Sequence, residues 1–104
     1  MEELRDWLKN QNGGLGTYIE FQQKSSRLVS VDDRHAALYQ LLSAAAGRFI
    51  AAYDSMPLPT GVAVKALTRL QSLVAAAVAA IARPAEDQLR VLNEIARTDL
   101  AETV

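Results

Sequence analysis

Residues 73–84 read LVAAAVAAIARP, and the fold turns on what covers them. Residues 73–82 are ten consecutive apolar residues, short of the ~20 that a bilayer span requires. Upstream the run is broken by Lys65, Thr68, Arg69 and Gln71, so a transmembrane helix is not expected. A helix that is apolar all round is buried all round. The cover expected here is other helices, including those of a second copy of the chain.

The helix that would carry this run extends over about residues 61–82. It has one apolar seam at Leu67, Leu70, Val74, Ala77 and Ile81, and a second at Val64, Leu73, Ala76 and Ala80. Magnitudes separate the roles of these side chains. Burying a leucine, valine or isoleucine contributes ~1.5–3 kcal/mol, against ~0.8 kcal/mol for an alanine. The alanines therefore act as spacers that let helix axes approach to the lower end of the ~8–10 Å packing range. The preceding segment repeats the device in AAAG, residues 44–47. These facing small-residue strips predict a central Ala-rich antiparallel helix pair, either inside the chain or across a two-fold axis. The surface left over, at Leu73, Ala76, Ala77, Ala80 and Ile81, is the expected homodimer or partner interface.

Working outward, the chain is punctuated at few places. Asn and Gly in NQNGG (10–14) supply helix-ending conformers, so EELRDWLKN reads as a short helix with Leu4, Trp7 and Leu8 on one stripe. Residues 17–31 admit a hairpin, from Tyr18, Ile19, Phe21, Val29 and Val31. They also admit a helix with a Thr17–Glu20 capping box and Tyr18, Phe21, Ser25 and Leu28 on one face, which is the preferred reading. Caps at Ser30 and Asp32 precede a long periodic segment with Leu38, Leu41, Leu42, Ala45, Phe49 and Ala52 inward. SMPLPTG (55–61) stops it, and Thr60 offers a cap for the next helix. Pro84 fits the first turn of a last helix, with Glu86 and Asp87 near its positive end and Leu89, Leu92, Ile95, Ala96 and Leu100 inward.

Length and composition agree with one small helical domain spanning residues 1–104. A chain of 104 residues hides roughly 65% of its unfolded surface on folding, enough for a modest core. The formal charge of −1 draws it neither to nucleic acid nor to anionic lipid. The absence of cysteine removes disulfides, thiol catalysis and cysteine-ligated metals. The acidic start, MEELRDWLKNQ, lacks the basic and apolar regions of a secretory signal, so a cytoplasmic location is expected.

Candidate chemistry is sparse. His35 is the single histidine, beside Asp32 and Asp33, without the further ligands a metal needs or a nucleophile to activate. Asp32–Asp33 and Glu86–Asp87 sit where helix N-termini attract acids. GGLGTYI lacks both the third glycine of a dinucleotide loop and a phosphate-loop lysine. Arg83, Arg90 and Arg97 recur every seven residues, but Glu86, Arg90 and Glu94 alternate in sign, as on a solvated face. Isolated acids such as Glu20 and Asp54 have no partner in the sequence pattern. The expectation is an all-α bundle of four to five helices, a homodimer without catalytic, cofactor or metal site, acting as a protein–protein interaction module: a small regulator, adaptor or chaperone-like protein. The alternative is a DNA-binding transcriptional regulator using Lys65, Thr68, Arg69 and Gln71, types that reach bases and phosphates.

Overall fold

The fold was obtained as a computed structural model, which describes residues 1–101. These residues form α1 (Glu2–Lys9), α2 (Leu15–Val31), a 3₁₀ turn (Asp33–His35), α3 (Ala36–Ala52), α4 (Thr60–Ile81) and α5 (Ala85–Arg97), with no strand among them.

Residues 17–31 are helical throughout. The central KSS offers none of the Gly or Asn residues that a tight hairpin turn demands, and Tyr18, Phe21 and Ser25 lie on one buried stripe. The helix begins two residues before the expected capping box. Gly14 occupies the N-cap, and Thr17 lies inside the first turn with its hydroxyl donating to Asn12 Oδ1 at 3.3 Å. The same oxygen accepts the Gly14 amide at 2.9 Å, so Asn12 ties down the corner that leads into the helix, while no side chain caps its first turn. Gly13 makes this corner possible. It has φ +81, and a Cβ there would stand 3.2 Å from Leu67 Cδ2.

Helices α2 and α3 form an antiparallel hairpin with the most extensive close backbone approach in the molecule. Ser26 and Ser43 share a hydroxyl hydrogen bond at 2.8 Å. Gly47 lies under the Gln22 amide, and the rings of Tyr18 and Phe49 stand 4.3 Å apart. The AAAG strip therefore serves the α2–α3 pair, not the expected α3–α4 pair. Helix α4 brings its backbone close to α5 and α1 instead. Its inner side chains Leu70 and Val74 belong to the same buried cluster as Leu38, Leu42 and Phe49 of α3.

Two helix starts and two inward faces also differ from expectation. Pro59, not Thr60, is the N-cap of α4, and Thr60 makes no capping bond. Pro84 is likewise the N-cap of α5 rather than a first-turn residue. The inward face of α5 is rotated, with Gln88, Val91 and Leu92 half-buried and Ile95 fully buried, while Leu89 is 58% exposed and Ala96 is exposed. Ala52 of α3, expected inward, is exposed too.

The radius of gyration, 13.1 Å, is that of a compact domain of this length. Tyr18 is the one side chain among the described residues whose buried polar atom lacks a hydrogen-bond partner. Burial pushes its phenol up to about 12. An unmatched buried hydroxyl carries a desolvation cost of ~1–3 kcal/mol. Tyr18→Phe is therefore expected to hold or raise stability, by about 1 kcal/mol in urea unfolding. A loss of that size would mean that the hydroxyl is satisfied.

Candidate functional site

Helix α4 is 22 residues long, with mean hydropathy 1.4 over its most apolar 18-residue window. By length and composition it suffices to cross a membrane, although the apolar run within it is shorter. Here it packs into the bundle by one side only, and a third of that window is buried. Expected burial all round is thus replaced by two distinct faces. Ala66, Leu70, Leu73, Val74, Ala77 and Ala80 face the core. Val64, Lys65, Thr68, Ser72, Ala75 and Ala79 face out, with Val64 60% exposed.

The five residues expected at a subunit interface fall mostly on the wrong side of this divide. Leu73, Ala77 and Ala80 are buried within their own chain, and Ala76 and Ile81 are half-buried. The cover comes from α3 and α5, because Ala77, Ala80 and Ile81 share a cleft with Leu38, Val91 and Leu92. The surface that remains open is one helical step away. From Ser72 to Ala82 it carries no charge, and grooves flank it on both sides. One is lined by Arg5, Leu8 and Lys9 of α1, the other by Glu94 and Arg97 of α5 with Asp99.

The proposed nucleic-acid face is divided as well. Lys65 and Thr68 are exposed, the Thr68 hydroxyl donating to Val64 O at 3.0 Å. Arg69 donates to Leu100 O at 3.2 Å, and Gln71 to Leu8 O at 3.3 Å. These two long polar side chains tie α4 to the C-terminal segment and to α1. At the start of α5, Arg83 from the preceding turn and Arg90 both pair with Asp87, at 3.2 and 3.4 Å, rather than Arg90 joining a Glu86–Arg90–Glu94 ladder. Exposed pairs of this kind contribute little to stability.

The most developed polar cluster lies where α2 turns into α3. His35 Nδ1 and Asp32 Oδ2 are 2.9 Å apart, and the Tyr39 hydroxyl donates to the same oxygen at 3.5 Å. His35 lowers the Asp32 carboxyl from its ordinary range, with help from the amides of Arg34 and His35. Tyr39 is raised, by burial first and by Asp32 second. The spacing of Asp32 and His35 was visible in the sequence. Their bond depends on the intervening 3₁₀ turn, which was not. Among the described residues no three His, Asp or Glu side chains gather to hold a metal.

A pH dependence follows from Asp32. Its folded pKa lies below its unfolded value, so its contribution is fully present above the ordinary carboxylate range. That contribution is lost as pH falls through the lowered folded value. Thermal melting of Asp32→Asn is expected to show a shallower acid decline than the parent below about pH 4. Superimposable acid limbs would show that Asp32 takes no part.

Comparison with protein-family models, with curated proteins and with solved structures finds no match to this chain.

Proposed function

We propose that this chain is a non-enzymatic protein–protein interaction module, a small regulator or adaptor, that binds through the outer face of α4 with a second copy of itself as a partner. The observation that carries this reading is the uncharged outer face from Ser72 to Ala82, standing between two grooves on an otherwise packed helix. Small side chains there let a second helix approach closely. The DNA-binding alternative is weaker, since Arg69 and Gln71 are bonded to carbonyls of their own chain.

The expected strength is modest. Covering the outer alanines and Val64 in both protomers contributes on the order of 8 kcal/mol, against ~4–15 kcal/mol for lost rigid-body freedom and ordering. The two ranges overlap, so the self-association proposed here is weak and reversible at most. Sedimentation equilibrium over a wide concentration range is expected to show monomer–dimer exchange, abolished by Ala75→Arg with Ala79→Arg while helix content is kept. A monomer at every concentration, or a dimer indifferent to both substitutions, would overturn the proposal.

A further inference from the structure

Helix α1 sits on the rest of the bundle as a peptide sits in a receptor. Met1, Leu4, Trp7 and Leu8 recur at three–four spacing and turn one seam toward the core. Leu4 and Leu8 are buried, whereas Glu2, Glu3, Asp6 and Lys9 on the opposite side are exposed. Close backbone approach is to α4 first and to α2 second. Two polar contacts complete the seat. Gln71 of α4 donates to Leu8 O at 3.3 Å, and the Lys24 ammonium of α2 stands 5.1 Å from the centre of the Trp7 ring. Open grooves border α1 along both flanks, beside Ser72 and Ala75 of α4 and beside Arg27 and Leu28 of α2. The helix is therefore held by its seam alone.

The groove and its occupant differ in independence. Helix α1 has eight residues, too few to stay helical in water without packing, so it folds as it docks. The walls of the groove belong to longer helices, and the α2–α3, α3–α5 and α4–α5 contacts that hold them together do not involve α1. The link to α2, residues 10–14, turns at Gly13, where φ is +81. A short element docked by one seam belongs to the low-stability end of a fold. We infer that α1 is an exchangeable occupant: the groove between α2 and α4 releases its own α1 and takes α1 of a second copy. The structure shows this groove filled by this sequence, and a second copy brings the same Leu4, Trp7 and Leu8 anchors at the i, i+3 and i+4 spacing of helix-in-groove recognition. Exchange forfeits no side-chain contact, which makes swapping of an identical element a low-cost route to association. It does not depend on the outer face of α4.

The test uses the full chain and a fluorescent peptide of residues 1–11. In the parent the tethered α1 competes at a millimolar effective concentration, so the peptide binds weakly. Leu4→Asp with Leu8→Asp in the full chain expels α1 and empties the groove. This variant is expected to keep a cooperative melt and to bind the peptide saturably, about tenfold or more tightly than the parent does. A peptide carrying the same two substitutions is expected not to bind. Amide exchange of the parent gives a reading without any substitution: the Asp6 to Lys9 amides open together while those of α3 stay protected. Loss of the cooperative melt in the variant, peptide binding no tighter than in the parent, or equal binding of the substituted peptide would each overturn the inference. Protection of the α1 amides equal to that of α3 would do the same. Equal binding of an unrelated amphipathic helix would also contradict it, as the mark of a general apolar groove.

Discussion

A chain carrying Ala66→Arg loses its cooperative thermal transition, whereas one carrying Ala75→Arg melts like the parent. Both positions are alanines on the same helix, but Ala66 is fully buried and Ala75 is exposed. At position 66 a long stem must enter a packed core, at ~1–3 kcal/mol for overpacking, and its charge loses water at a cost of several kcal/mol more. A domain of this size has only ~5–15 kcal/mol of stability to lose. Circular dichroism melting distinguishes the cases, and a normal transition in Ala66→Arg would show that the inner face of α4 is wrongly placed.

The second large effect is at Phe49. Its ring is 4.3 Å from that of Tyr18 and 5.1 Å from that of Tyr53, and it is buried in the core cluster. Phe49→Ala removes this link between α2 and α3 and leaves a cavity, at a cost of ~3–5 kcal/mol. Urea unfolding is expected to show a lower midpoint with a similar slope. A loss under about 1 kcal/mol, the scale of a surface change, would mean that the α2–α3 hairpin does not depend on this contact.

The helices were legible in the sequence because large side chains recur at three–four spacing between strong breakers. Leu38, Leu42 and Phe49 mark the inner face of α3, and Leu70 and Val74 that of α4. The faces were harder to read where the code is degenerate. Ala75 and Ala79 are exposed while Ala77 and Ala80 are buried, and an alanine carries too little apolar area to announce its side. The same ambiguity turned α5, where Leu89 and Val91 are alternative members of an apolar stripe.

Long-range bonds left no local signal. Arg69 and Gln71 looked free because their acceptors, Leu100 O and Leu8 O, lie 31 and 63 residues away. Asn12 reaches both Gly14 and Thr17 across the bend at Gly13, a contact set by the backbone of the turn and not by a local pattern. The cleft beside His35 joins four separate elements, so no stretch of sequence contains its pattern.

The outer face of α4 as the self-association surface is tested most directly by intermolecular paramagnetic broadening. The chain has no cysteine, so Lys65→Cys gives one attachment point for a nitroxide, on the same face as Ser72 and Ala79. Spin-labelled protein is mixed with ¹⁵N-labelled protein that carries no label, so that only contacts between chains broaden amide signals. Broadening is expected along Thr68, Ser72, Ala75 and Ala79 and on the flanking edges of α1 and α5, growing with concentration. Broadening centred on the outer side of the α2–α3 hairpin, around Ile19 and Gln23, or no broadening at any concentration, would contradict it.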